Sequence, residues 1–388
     1  MNPGADIDSY LQPEVFFSAL EAKSLSDEAI AFVLQKLTPD ALNEVIIAQW
    51  VSALLEKAEA VPQIPALVMD CCGTGGSGLP HFNTSTIVAF VLAAAGVPVV
   101  KFGNRGIQQP RGSFDFLSAI GLGSPVSLNN IPRLLEQSSL AFVFAPQCYP
   151  FLAPVHRVRK TLEVSTLFHF IGPLLNPFKP SYRLLGVSSG RLLPMIAAVL
   201  SDDADNQNAW VCQTALSSSF SLSPLFFDPQ IPALDELAPL GIPVVYAVRP
   251  QQARYLSVEE LDFPSYADSS DAFSSSEALS PEQQLRQLLG TLSVEETVSV
   301  FYDLLDGCLL NGRLLEEGLL VQGKTISQNA PQAFCAELVL LNAAAGLVVS
   351  NKVTSLGEGK QLVEELFANG SVKQTFKKYR EAYDACAV

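Results

Sequence analysis

Between residues 64 and 103 the chain runs strand, glycine loop, helix, strand, and that order commits it to a parallel sheet. IPALVMD (64–70) is a short apolar run, and CCGTGGSG follows at once. STIVAFVLAAAG (85–96) reads as a buried helix ending at Gly96, and VPVVKFG (97–103) as a second buried strand. Parallel strands need a crossover, and the helix that makes it covers one face of the sheet. Further strands are expected at 140–146, 182–188, 209–213 and 242–248, and helices at 113–120, 130–137, 191–201, 280–291, 294–306 and 332–349. Upstream, EVFFSALEAKSLSDEAIAFVLQKL (14–37) and PDALNEVIIAQWVSALLEKA (39–58) carry apolar residues at helical spacing, with starts at Ser26-Asp27-Glu28 and Thr38-Pro39-Asp40. The class is α/β, with a helical region ahead of the sheet.

The loop of this unit is built for an anion. Gly73, Gly75, Gly76 and Gly78 let the backbone approach a ligand closely. Asn83, Thr84, Ser85 and Thr86 then open the next helix, placing N–H groups and hydroxyls at the positive end of its dipole. Lys101 ends the following strand at the same sheet edge, where ligands of parallel sheets bind. Asn104, Arg105 and the turn Pro110-Arg111-Gly112 follow. A glycine turn alone could be only a turn; with the hydroxyl-rich helix start and Lys101 it reads as a phosphate site.

Composition limits the partners. The formal net charge is −15 over 388 residues, so phosphate backbones are repelled at long range and no nucleic-acid partner is expected. The longest strongly apolar run noted, Ile87 to Val100, is broken by Gly96 and Pro98 and is too short to span a bilayer. No membrane association is expected, and no export signal is visible in MNPGADIDSY. Seven cysteines without a C-x-x-C pair read as reduced, mostly buried thiols of a cytoplasmic protein. PSYADSSDAFSSSEALSP, at about 264–281, reads as a surface loop, and the acids in and beyond it as a solvated face.

Three blocks identify a relative. GTGGSG with FNTST (73–86), KFGNRG (101–106) and GSFDFLSAIG (112–121) resemble the signature blocks of the anthranilate phosphoribosyltransferase family. The resemblance continues through VRKTLEVSTLFHFIGPLLNP (158–177) and VLLNAAAGLVV (339–349), and is poorest from about 205 to 330. It implies a small helical domain, residues 1–62 completed by about 146–175, joined to a larger α/β domain (63–145 and 176–388) with a central, mostly parallel sheet. It implies attack of an aromatic amine on C1 of phosphoribosyl pyrophosphate, with Mg²⁺ as cofactor of an active member. By position, Gly73, Thr74, Gly75, Gly76, Asn83, Ser85, Thr86 and Lys101 would hold phosphoribosyl pyrophosphate, with Ser85 also a metal ligand. Asn104, Arg159, His169 and Gly172 would line the acceptor site, and Arg159 would meet a carboxylate. The resemblance further implies a homodimer formed through the helical domain. It assigns no catalytic residue here.

The departures gather at the chemistry. The family's Asp in GTGGD is Ser77, the His of KHGN is Phe102, the paired serines are Gln108 and Gln109, and the Asn of TIFN is His169. No acidic pair follows the strand AWVCQ directly, and Asp235-Glu236 in PALDELAPLG reads as the first turn of a helix. Two functions follow from this: an active phosphoribosyltransferase, or a degenerate homologue that binds a phosphorylated ligand or a protein partner without transfer. A nucleoside phosphorylase would share the fold, and FHFIGPLLNP speaks against it.

Overall fold

A computed structural model of the chain describes residues 7–65, 67–106, 111–216, 231–263, 280–290, 292–308 and 330–386. Gln108, Gln109, Pro110, the serine-rich run from residue 217 and positions 264–279 of the Ser/Asp-rich stretch lie outside the described residues.

Three helices open the chain: α1 (Pro13–Glu21), α2 (Asp27–Lys36) and α3 (Glu44–Glu56). Ser26 caps α2 as expected, its hydroxyl accepting from the Ala29 N–H at 3.3 Å. The third helix starts later than Thr38-Pro39 predicts. Pro39–Ala41 makes a single 3₁₀ turn, the extended backbone of Leu42 ends it, and Asn43 caps α3 by accepting from the Ile46 N–H at 2.9 Å.

The sheet unit follows as β1 (Met69–Gly73), α4 (Thr84–Ala94), β2 (Val99–Gly103), α5 (Ser113–Ala119), α6 (Ile131–Ser138) and β3 (Leu140–Phe144). Short helices α7 (Ala145–Cys148), α8 (Ala153–Arg159) and α9 (Leu167–Phe170) lead back to the N-terminal helices. Then come β4 (Tyr182–Gly186), α10 (Leu193–Ser201), β5 (Asn208–Ala215), β6 (Ala233–Leu234), β7 (Ile242–Arg249) and β8 (Gln252–Leu256). Helices α11 (Pro281–Leu289), α12 (Val294–Leu305), α13 (Ala330–Val349), α14 (Leu356–Ala368) and α15 (Ser371–Asp384) complete the described chain.

The strands order as β3-β2-β1-β4-β5-β7-β8, with β6 on β5. Strands β1 to β5 pair parallel with one another, while β6 and β7 pair antiparallel with β5, and β8 with β7. The central, mostly parallel sheet is thus as expected. From β1 the chain winds outward to β3, returns at β4 and winds the other way. The carboxyl ends of β1 and β4 therefore flank the switch point, where open sheets of this type hold ligands. Strand β1 begins five residues later than the apolar run predicts, because β4 pairs with it from Met69↔Tyr182 through to Gly73↔Gly186. The first glycine of the loop is a strand residue.

Two clusters of rings hold the layers. Phe90 of α4 packs against Phe142, Phe301, Phe376 and Tyr379 at centroid distances of 5.5 to 5.8 Å. Trp50 of α3 meets Phe16, Phe17 and Phe168 at 5.2 to 5.9 Å, tying the N-terminal helices to α9. Residues Pro331–Val349 are apolar enough to cross a membrane by composition, yet 89% of that stretch is buried inside the fold. It is the core helix between α4 and α14. Because Phe90 is fully buried and touches four rings, Phe90→Ala is expected to lower stability by about 3–5 kcal/mol. Denaturant unfolding measures this, and a loss below about 1 kcal/mol would mean the ring cluster does not hold the layers.

Candidate active site

The β1–α4 loop turns sharply at Gly75 and Gly76, whose φ values are 63° and 78°. That left-handed backbone suits glycine and turns successive N–H groups toward one side. The loop is anchored on Ser188, just past β4. The Ser188 hydroxyl donates to the Gly75 carbonyl at 2.7 Å, and its N–H donates to Thr74 Oγ1 at 3.0 Å. Ser77, standing where the family has an acid, accepts from the Leu79 N–H at 3.2 Å and closes the loop locally. Helix α4 then begins at Thr84. Asn83 does not cap it; its amide donates to the Arg111 carbonyl at 3.1 Å and joins the loop to the turn before α5.

Lys101 is only 2% exposed, and its ammonium donates to the Cys71 carbonyl at 2.7 Å. Beside it, Asp70 accepts from the Phe102 N–H at 3.2 Å and from the Asn176 amide at 2.9 Å. Burial raises the Asp70 pKa, and the Lys101 charge opposes that shift. Of the two, Lys101 lines the cavity, with Asp70 buried behind it.

The acidic pair is where the sequence reading fails. Asp235 and Glu236 do not open a helix; they follow β6, which pairs antiparallel with the end of β5 through Thr214↔Leu234. The pairing carries them back to the sheet edge after the intervening chain. Asp235 Oδ2 accepts from the Gly75 N–H at 2.7 Å. A Cβ at Gly73 would strike the Asp235 carboxylate, and one at Gly186 would strike its carbonyl oxygen. Both strand ends must be glycine for the turn to fit. Glu236 is half-buried, and its pKa is pushed up to about 8 by desolvation first; the Thr84 hydroxyl beside it opposes the shift and the Asp235 charge adds to it. Glu236 Oε1 and Thr84 Oγ1 are buried without a hydrogen-bond partner. Among the described residues no group of three or more His, Cys, Asp or Glu side chains is placed to hold a metal.

Arg159, at the end of α8 and 7% exposed, also lines the cavity, with no carboxylate in ion-pair range among the described residues. Its Nε has no partner, and burial lowers its pKa to about 10. His169 accepts from the Thr166 N–H through Nδ1 at 2.9 Å. Burial and then the Arg159 charge lower the His169 pKa to about 4. His156, one turn before Arg159, is lowered to about 4 by the same two causes and then by Lys160.

All the expected residues line one cavity of about 660 Å³: Gly73, Thr74, Gly75, Gly76, Asn83, Ser85, Thr86 and Lys101 on the loop side, and Asn104, Arg159, His169 and Gly172 on the other. Thr84 of the hydroxyl-rich helix start lines it too, as do Asp235, Glu236, His156 and Asn342, none of which the sequence reading had assigned to the site. An adjacent Asp-Glu after a short apolar run was the available signal for the first two.

The comparisons agree with this geometry. The a/b domain of a glycosyl transferase family matches residues 66–218. The anthranilate phosphoribosyltransferase of Thermomicrobium roseum is 31% identical over 386 residues, covering 98% of this chain and 94% of its own. The chain belongs to the anthranilate phosphoribosyltransferase family. The enzyme of that name from Syntrophomonas wolfei is 27% identical, covering 93% of this chain and 94% of its own. Among solved structures, anthranilate phosphoribosyltransferase from Thermus thermophilus superposes with a TM-score of 0.70 at 26% identity, covering 98% of this chain and 96% of its own. The Saccharomyces cerevisiae enzyme in complex with PRPP and Mg shares the fold, with a TM-score of 0.68 at 20% identity over 98% of this chain and 93% of its own. Nothing in these relatives favours a degenerate homologue.

The two histidines make the site sensitive to acid. Both are neutral in the folded chain down to about pH 4, whereas an unfolded histidine takes a proton near pH 6.5. The unfolded state thus binds more protons between those values, and stability present above pH 6.5 is lost as pH falls toward 4. In thermal melts, His169→Gln is expected to flatten the fall in Tm across that window. An unchanged slope would show that His169 is not held neutral.

Proposed function

We propose that this chain is an active phosphoribosyltransferase that joins the ribosyl C1 of phosphoribosyl pyrophosphate to the nitrogen of an aromatic amine, anthranilate. The observation that carries the reading is the return of Asp235 and Glu236 to the glycine loop, which supplies the acidic pair the sequence appeared to lack. With them in place, the argument for a degenerate homologue loses its main support.

The donor set fits a hard cation. Two carboxylates, the Thr84 hydroxyl beside Glu236 and the Ser85 hydroxyl all line the cavity. Magnesium takes few protein ligands and keeps water and substrate phosphates for the rest, so two carboxylates suffice. Asp235, Glu236 and Ser85 would hold it. Bound there, the ion would neutralise charge gathering on the departing diphosphate.

The chain's own groups do the positioning. The start of α4 and the loop N–H groups beyond Gly75, whose own N–H is held by Asp235, receive phosphate oxygens, and the Lys101 ammonium lies near them in the same cavity. Arg159 receives the acceptor carboxylate, which replaces the partner its buried guanidinium lacks. The amine nitrogen then bonds to C1, the bond from C1 to the diphosphate oxygen breaks, and the nitrogen releases a proton. Holding the reactants in line is the main contribution of a site of this kind.

The same reading extends to organisation. We take residues 1–62 with 146–175 as a helical domain through which two copies pair, supported by exposed Val15 on α1 and Val45 on α3. The cytoplasm is the proposed place of the reaction, consistent with seven unpaired cysteines.

The assay follows the loss of anthranilate fluorescence with phosphoribosyl pyrophosphate and Mg²⁺. Asp235→Asn is expected to lower turnover about 10²- to 10³-fold. Arg159→Ala, which removes a charged hydrogen-bond donor worth about 1.5–3 kcal/mol, is expected to raise the anthranilate KM about 10- to 100-fold and leave the KM for the phosphosugar unchanged. Wild-type protein with no turnover above the Asp235→Asn variant would sink the proposal.

A further inference from the structure

The turn that bears the acidic pair has almost no secondary structure of its own, since β6 is two residues long. The residues that follow the pair are nevertheless fully buried, with Leu237 and Ala238 both at 0% exposure. Buried peptide groups need partners, and here two side chains from distant elements supply them. Thr214 of β5 donates its hydroxyl to the Glu236 carbonyl at 2.8 Å and accepts from the Ala238 N–H at 2.9 Å. Asn342 of α13 accepts from the Leu237 N–H at 3.1 Å and donates to the Leu237 carbonyl at 2.7 Å. A third Asn342 bond, to the Leu338 carbonyl at 2.8 Å, fixes its amide within its own helix. Four successive backbone groups, from the Glu236 carbonyl to the Ala238 N–H, are thereby held by Thr214 and Asn342.

Neither residue is a natural choice for its surroundings. Thr214 is 0% exposed at the end of a fully buried strand, and Asn342 is 4% exposed in the apolar core helix. An amide in such a place is costly unless its hydrogen bonds are made. The bonds made go to the one segment whose position decides where the carboxylates stand.

We propose that Thr214 and Asn342 are positioning residues that hold Asp235 and Glu236 against the glycine loop in the geometry a divalent cation requires. The inference rests on the reading of that pair as the cation site. Asp235 already reaches the loop at the Gly75 N–H, and Glu236 is fixed beside it through its own carbonyl. Loosening the turn lets both carboxylates drift without changing their chemistry. The defect is then mainly one of metal binding: excess cation restores turnover, while the bonds from Ser188 still anchor the glycine loop when Asp235 leaves the Gly75 N–H.

The test uses the full chain and Mn²⁺ alone as the probe, read by electron paramagnetic resonance, with turnover against Mg²⁺ concentration and a thermal melt alongside. Thr214→Val keeps the shape and removes both hydrogen bonds; Thr214→Ser keeps the hydroxyl; Asn342→Leu removes the amide. Thr214→Val and Asn342→Leu are expected to weaken Mn²⁺ binding and raise the Mg²⁺ needed for half-maximal turnover, each about 10- to 100-fold. Turnover at saturating Mg²⁺ should recover, and Thr214→Ser should behave as wild type. Should Asn342→Leu fail to fold, the Thr214 pair decides alone. A folded Thr214→Val protein that binds Mn²⁺ like wild type overturns the proposal, as does a wild-type chain that binds no Mn²⁺. Variant-dependent Mn²⁺ binding without any turnover of anthranilate would leave the positioning role standing and defeat the proposed reaction instead.

Discussion

Where β1 and β4 end side by side, Gly73 and Gly186 carry no side chain, and Asp235 fills the space two Cβ atoms would take. The rest of the site depends on that close approach. It brings a carboxylate from beyond β5 onto the N–H of Gly75, into the cavity that Arg159 also lines. The sheet makes it possible, because the winding reverses between these two strands and leaves their carboxyl ends uncovered by a crossover.

Charge is arranged locally within a chain that is acidic overall. The net charge of −15 is compatible with the proposed phosphate site, whose groups are backbone N–H donors and a buried lysine rather than the acidic surface. The same burial explains the perturbed groups. Desolvation drives Glu236 toward its protonated form and both histidines toward neutrality, and it leaves Arg159 as a cation without a counter-ion among the described residues. Each of these groups is uncomfortable alone, and each is relieved by a ligand of opposite charge or by a cation. Such strain is what a site set up for charged reactants carries before they arrive.

The departures at the cavity have a physical account where they are described. Ser77 satisfies its own turn, and Phe102 packs edge-on against Tyr149 at 6.3 Å. His169 holds its position through the Thr166 N–H. None of these replacements disturbs the backbone that shapes the loop.

Much was fixed by local pattern. The strand, glycine loop, helix and strand from 64 to 103 required a parallel sheet, and the hydroxyl-rich start of α4 with Lys101 marked its ligand edge, because spacing along the chain sets both. Helix starts were readable where a capping side chain was present, as at Ser26, and misplaced where Pro39 imitated one. The acidic pair was legible as residues but not as a site. Asp235-Glu236 looks like a helix start to any argument from neighbours, and only the pairing of β6 with β5 and the bonds from Thr214 and Asn342 carry it to the loop. The sequence by itself determined the glycine loop and hydroxyl-rich helix start that make up the proposed phosphate cradle, since they lie within one short stretch of chain. The tertiary structure decided whether that cradle had acids to work with, because they arrive from about 160 residues away through hydrogen bonds no local pattern encodes.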